Sequence, residues 1–173
     1  RGILPKVADW SGTSAPTMAF GQGYSLTAMQ ATSIFATIAN DGVRVSPTVI
    51  AGTRDASGNF TPAPGRTSQR VVSSETAKVM RLMMESVVSG NGTAPSAAIP
   101  GYRVAGKTGT AQRIDDTCGC YRGYTASFIG FAPADNPAYV ISVTIQDPKG
   151  MHWGGVLGGP VFKKVMSFVL QSR

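Results

Sequence analysis

An α+β fold is what this sequence predicts, on three observations. Residues 125–131 alternate in hydropathy, residues 139–145 form the clearest strand in the chain, and Pro133-Ala134-Asp135-Asn136-Pro137 between them is a turn, so the two strands pair as an antiparallel hairpin. Two earlier segments repeat apolar residues at helical spacing behind side chains that cap helices. A final helix comes after the strands, and in that order a helix packs on the sheet.

Each element has its own signal. Residues 1–23 are rich in Gly, Pro, Ser and Thr and read as extended connection and loop. Thr27 opens a helix, because Thr27-x-x-Gln30 is a capping box in which both side chains satisfy backbone donors. Ala28, Ala31, Thr32, Phe35, Ile38 and Ala39 recur along it, and Asn40-Asp41-Gly42 stops it with residues that tolerate left-handed backbone. Residues 43–50 are β-branched, but Pro47 keeps them out of a central strand. Residues 55–65 read as turn and loop. Ser73 or Ser74 caps a second helix, with Glu75 near its N-terminal dipole and an apolar stripe of Val79, Met80, Met83 and Val87; the Met and Leu residues at 80–84 are expected in the core. Ser89-Gly90-Asn91-Gly92 ends it. Pro160 is expected to begin the last helix, with Val161, Phe162, Val165, Met166 and Val169 on one face.

Composition narrows the function classes. The 173 residues carry 16 Lys and Arg against 9 Asp and Glu, a net charge of +7, yet the basic residues are scattered and Lys163-Lys164 is the only adjacent pair. Aromatic residues make up 8%, too few for a base-stacking ladder, so nucleic acid is not an expected partner. Hydrophobic residues reach 42%, which argues for a folded core, and no run of 18 apolar residues offers a membrane span within this stretch. The chain begins at Arg1-Gly2 without Met, and the expectation is a piece of something longer. Cys118 and Cys120 flank one glycine. Two thiols do not complete a structural zinc site, so no metal is expected; they read as loop thiols or a local staple.

Gly101-Tyr102-Arg103-Val104-Ala105-Gly106-Lys107-Thr108 matches the letters of a phosphate-binding loop. Such a loop must follow a buried strand and open a helix, so that the helix N-terminus faces the phosphates. Residues 91–100 are no buried strand. Gly109, Asp115-Asp116 and Cys-Gly-Cys after Thr108 make no amphipathic helix. The motif is therefore refused.

Lys107-Thr108-Gly109 has a second reading. A cation, a hydroxyl and a side-chain-free backbone on one exposed strand edge set a positive field, hold a carboxylate by charge-assisted hydrogen bonds and let a substrate backbone approach. This triplet is the third signature of serine penicillin-binding proteins and class A β-lactamases. The block Pro100-Gly101-Tyr102-Arg103-Val104-Ala105 followed by Gly106-Lys107-Thr108-Gly109-Thr110-Ala111-Gln112 resembles the corresponding strand of class B penicillin-binding proteins. So do Ala19-Phe20-Gly21-Gln22-Gly23-Tyr24-Ser25-Leu26-Thr27, Met84-Glu85-Ser86-Val87-Val88, Phe131-Ala132-Pro133-Ala134, and Gly154-Gly155 with Pro160-Val161-Phe162. The blocks keep the family's order over nearly the whole chain, and they are most similar to the septal, cell-division type.

The resemblance implies the C-terminal half of a penicillin-binding-protein/β-lactamase-like transpeptidase fold, residues 1–173 being part of one domain. It implies a D,D-transpeptidase that cross-links peptidoglycan stem peptides through an acyl-serine and is acylated by β-lactam antibiotics, with no cofactor. It implies a membrane-anchored protein on the extracytoplasmic side, completed by its own N-terminal part and working with a membrane glycan polymerase and division proteins. By the same resemblance Lys107 tunes the field around the nucleophile, Thr108 and Thr110 bind the terminal carboxylate, Gly109 is the close-approach position, and the Thr110 N–H completes an oxyanion hole. Tyr124 stands where relatives place an aromatic before the next strand, and His152-Trp153 where they place two aromatics lining the cleft; His152 departs from that pattern, and a solvated loop histidine is the alternative. No serine has Lys three residues later, and Ser57-Gly58-Asn59 and Ser89-Gly90-Asn91 match the family's Ser-x-Asn by letter only. The nucleophile is therefore expected upstream. A D,D-carboxypeptidase or β-lactamase, and a non-catalytic β-lactam sensor or scaffold, are the alternatives.

Overall fold

The computed structural model describes residues 2–115 and 117–172. Four α-helices are present among them: α1 (Ser14–Ala19), α2 (Ala28–Ala39), α3 (Ser74–Ser86) and α4 (Gly154–Gln171). The principal sheet has the order β5-β6-β7, made of β5 (Ala105–Asp115), β6 (Cys120–Ala132) and β7 (Tyr139–Gln146), antiparallel throughout. Four three-residue strands form two small ribbons: β1 (Val43–Val45) with β4 (Ser68–Arg70), and β2 (Gly52–Arg54) with β3 (Phe60–Pro62).

The period of two in β6 builds a three-layer body. Phe128 pairs with Thr108 on one side and Val143 on the other, and points with them toward α4. There Phe128, Phe162, Met166 and Leu170 form the larger core with Val104, Ile99 and Ala132. Phe128 and Phe162 meet edge to face, their centroids 4.9 Å apart. Phe131, one face over, joins Met84, Ala105 and Ala134 under Phe35 and Ile38 of α2. Each fully buried large side chain here is worth about 1.5–3 kcal/mol relative to exposure.

Local rules explain the helix starts. Thr27 Oγ1 accepts from the Gln30 N–H while Gln30 Oε1 accepts from the Thr27 N–H, the expected capping box. Of the two candidate serines, Ser73 caps α3 by accepting from the Thr76 N–H. Past α2, Asp41 and Gly42 take positive φ, and a side chain on Gly42 would strike the Val72 backbone. Arg81, its side chain 13% exposed, ties α3 to this corner through Asp41 Oδ1 at 2.6 Å and the Ile38 carbonyl at 3.3 Å.

Several expectations need correction. The first 23 residues contain a short helix, α1. The 55–65 loop carries β3, paired with β2, and only residues 43–45 of the 43–50 segment form a strand. The polar stretch after Thr110 is strand at both its ends. β5 runs on to Asp115 and β6 begins at Cys120, with Gln112 opposite Tyr124, Ile114 opposite Tyr121 and a register shift between them. Cys118 and Cys120 are joined in a disulfide at this hairpin's tip. The stripe predicted for α3 is rotated: Ala77 and Met84 are buried, whereas Val79, Met80, Leu82 and Met83 are exposed. The last helix begins six residues early, at Gly154, and Pro160 lies inside it. Its core face is Phe162, Met166 and Leu170, while Val161 and Val165 are exposed. No helix of the described residues is long and apolar enough to cross a membrane.

Candidate active site

Lys107, Thr108, Gly109 and Thr110 lie on β5, the edge strand of the sheet. β5 opens at Ala105, so the segment resembling a phosphate loop leads into a strand instead of a helix, which is why that motif cannot cradle phosphates. Alternation sends Thr108 and Thr110 toward the start of α4 and Lys107 and Gly109 to the opposite face, where Lys107 pairs with Ile129. Between that strand, α2 and the 19–26 loop runs an open groove of about 980 Å³. One wall is Phe20, Tyr24, Leu26, Ile34 and Phe35; the other is Lys107 to Thr110 with Ser127, Ile129 and Trp153.

The polar end of the groove is built by hydrogen bonds. The Lys107 ammonium donates to the Thr108 carbonyl at 2.9 Å. Thr108 Oγ1 lies 3.2 Å from Thr93 Oγ1. Thr110 Oγ1 accepts from the Gly154 N–H at 3.2 Å, the first residue of the 18-residue α4. A hydroxyl that accepts one bond keeps its own proton to donate. The helix N-terminus adds about half an elementary positive charge beside these hydroxyls. A primary ammonium, threonine hydroxyls and a helix start in one corner make a site for an anionic oxygen group.

Glycine makes this arrangement geometrically available. A Cβ on Gly154 would collide with the carbonyl oxygens of Gly109 and Ser127 and stand 2.9 Å from the Ser127 nitrogen. A Cβ on Gly155 would meet the Thr93 carbonyl, and one on Gly158 would come within 2.8 Å of Phe128 Cβ. The helix therefore lies directly on the sheet beside the threonines. Ser96 holds it there by donating to the Gly155 carbonyl at 3.0 Å. Gly109 also has a reason within the fold: its Cβ would strike Ser127 Oγ.

Five of the seven predicted site residues, Lys107, Thr108, Gly109, Thr110 and Trp153, line one groove. Tyr124 and His152 are not in its lining. They stack on each other with centroids 4.0 Å apart and planes 9° from parallel, and His152 reaches Trp153 at 5.0 Å. The three rings form one corner at the groove's end. Sequence reasoning missed Thr93, Ser96 and Ser127. Thr93 is 15 residues from its partner Thr108, and no spacing signal links a turn residue to a strand across that distance.

Beyond the rings, the Lys149 ammonium holds the Asp147 carboxyl below its ordinary range, donating to it at 2.6 Å. The Thr117 hydroxyl and N–H do the same for Asp115, which also faces Arg122 at 3.1 Å. Glu85 forks onto Arg103 at 2.9 and 2.7 Å, raising the guanidinium further above its usual value and fastening the end of α3 to the approach of β5.

Comparison with known proteins gives the family. The model of the penicillin binding protein transpeptidase domain matches residues 1–167. Penicillin-binding protein PbpB of Mycolicibacterium smegmatis is 42% identical over 180 residues, covering 98% of this chain and 28% of that protein. Peptidoglycan D,D-transpeptidase FtsI of Escherichia coli is 34% identical, covering 99% of this chain and 28% of that one. The crystal structure of penicillin binding protein 3 from Mycobacterium tuberculosis complexed with ampicillin superposes with a TM-score of 0.90 at 40% identity, over 99% of this chain and 40% of that one. The chain thus spans well under half the length of these relatives.

Proposed function

The chain belongs to the penicillin-binding protein transpeptidase domain family, and from that premise we propose that it is the C-terminal part of a peptidoglycan D,D-transpeptidase domain. The reaction is acyl transfer. A serine outside this chain attacks the carbonyl carbon of the penultimate D-alanine of a stem peptide, the terminal D-alanine leaves, and an acceptor amine displaces the serine to form the cross-link. β-Lactams acylate the same serine.

The observation that carries this reading is the corner where Thr108 and Thr110 meet the N-terminus of α4 beside Lys107. The donor's terminal carboxylate is held there by the two hydroxyls, in the field of the ammonium and the helix start. Lys107 raises the positive potential over the reacting serine and assists its proton transfer. The backbone N–H of Thr110 joins the nucleophile's own N–H as an oxyanion donor, worth about 3 kcal/mol of barrier. Trp153, with Tyr124 and His152 behind it, walls the side of the cleft. The whole protein works at the membrane's extracytoplasmic face, anchored by a segment outside this chain, beside a membrane glycan polymerase and division proteins. Its N-terminal part brings the nucleophile to the groove and covers apolar side chains of α3 such as Leu82 and Met83, which are exposed here. The relatives named as transpeptidases and the neighbour that binds ampicillin support this reading.

The test is covalent labelling of the full-length protein with a fluorescent penicillin, followed by peptide mapping. The label is expected on a serine in Ser-x-x-Lys upstream of this chain, with slow release. Steady hydrolysis of the penicillin would identify a β-lactamase, and absence of a serine adduct would refute the assignment.

A further inference from the structure

Thr93 lines the groove from a turn outside the sheet, and its hydroxyl lies 3.2 Å from Thr108 Oγ1. The turn is held from several sides. The Ala94 N–H donates to the Val87 carbonyl at 2.9 Å, and Ala94 and Ala97 are fully buried in the larger core. A Cβ on Gly92 would strike the Ser86 and Val87 carbonyls, and one on Gly155 would strike the Thr93 carbonyl. Ser96 donates to the Gly155 carbonyl at 3.0 Å. Thr93 is therefore wedged between the end of α3 and the first turn of α4, with its hydroxyl against β5.

Thr108 is oriented by its two branches. Its methyl group packs on Gly155, where an added Cβ would stand 3.0 Å from Thr108 Cγ2, and its hydroxyl faces Thr93. That hydroxyl has one proton and can accept two hydrogen bonds. The Lys107 ammonium, 3.4 Å away, can only donate to it. Thr93 Oγ1 can donate or accept. If Thr108 donated to Thr93, its one proton would go to a neutral oxygen. With Thr93 as donor, both accepting positions of Thr108 Oγ1 are filled, and its proton is left for the groove. An anionic ligand favours the second arrangement, because a hydrogen bond to a carboxylate is about twice as strong as one between neutral groups.

We propose that Thr93 is a positioning residue for the acyl donor: by donating to Thr108 Oγ1 it turns the Thr108 proton toward the donor's terminal carboxylate. It acts through Thr108 and not by its own contact with the ligand. The inference rests on the transpeptidase reading of the groove. A net hydrogen bond of this kind corresponds to a factor of about two- to tenfold, and that is the loss of acylation expected when the Thr93 hydroxyl is removed.

The test measures the second-order acylation constant of a penicillin on the full-length protein and its variants. Thr93→Val, which keeps the shape and removes the hydroxyl, is expected to be about two- to tenfold slower. Thr93→Ser, which keeps the hydroxyl, is expected to stay within about twofold of the parent. Thr108→Val is expected to be slower as well. Adding Thr93→Val to it is expected to change nothing further, since the bond has already lost one partner. A role limited to holding the turn in place would instead multiply the two losses. Thr93 is exposed, so its single variants are expected to melt with the parent. Parent-like acylation by Thr93→Val, equal losses in Thr93→Val and Thr93→Ser, or multiplied losses in the double variant overturns the positioning role. Failure of the penicillin to acylate any serine of the parent protein would instead overturn the transpeptidase reading.

Discussion

Adding one methyl group at Gly154 tests how the helix start and the carboxylate site depend on each other. In Gly154→Ala the new Cβ would collide with two backbone carbonyl oxygens, those of Gly109 and Ser127, and lie 2.9 Å from the Ser127 nitrogen. No side-chain rotation relieves a clash with backbone, so the start of α4 must retreat from β5 and β6. That retreat lengthens the 3.2 Å bond from the Gly154 N–H to Thr110 Oγ1 beyond hydrogen-bonding reach. Overpacking of this kind costs about 1–3 kcal/mol, and loss of the hydrogen bond about 1 kcal/mol more. With about 1.5 °C per kcal/mol for a domain of roughly 300–350 residues, of which this chain is half, melting should fall by about 3–6 °C. Withdrawal of the α4 N-terminus from Thr110 by about 1 Å misplaces the carboxylate site and should slow β-lactam acylation on the order of 100-fold. Stopped-flow acylation of the full-length protein, with calorimetry on the same sample, measures both. Parent-like melting and acylation would refute the claim that Gly154 sets the distance between helix and strand.

Two further outcomes follow from the β5–β6 hairpin. Replacing both Cys118 and Cys120 with Ser should cost about 1–2 kcal/mol, because the disulfide closes a ring spanning only three residues and a short ring restricts the unfolded chain little; chemical denaturation of the two forms checks this, and an unchanged midpoint would contradict it. Asp115 and Asp147 have folded-state values below the unfolded carboxyl value, so the stability they contribute is complete above that value, about pH 4, and is lost as pH falls through the lowered folded ones. Acid titration of hydrogen exchange in the hairpin should show loosening only below about pH 4, and the Asp147 share should disappear in Asp147→Asn.

Local chemistry was readable wherever it decides structure by itself. Thr27 with Gln30 specifies a helix start through two reciprocal bonds, and the 139–145 strand stands out by residue type. Distance in the chain limited the rest. The six residues before Pro160 look like loop because their glycines are poor helix formers, yet those glycines are what let α4 lie on Ser127 and Phe128, and packing overrides propensity. The stripe on α3 was misplaced because Val79, Met80 and Met83 recur with the same period as the buried Ala77 and Met84; periodicity identifies a helix without saying which apolar face finds a partner. The hairpin tip was hidden because polar Arg113 and Asp115 take its half-buried face while apolar Ile114 is exposed, an alternation opposite to the one hydropathy would signal. The Lys-Thr-Gly strand was legible as a motif, whereas the contributions of Thr93 and the α4 N-terminus exist only once the chain has folded.

The acyl-enzyme formed by the full-length protein with a penicillin provides the most direct measurement. Its crystal structure should place the ligand carboxylate within about 3 Å of Thr108 Oγ1 and Thr110 Oγ1, at the N-terminus of α4, with the acyl bond on an upstream serine. A carboxylate seated away from both threonines would contradict the assignment of this strand as the carboxylate-binding wall of the active site.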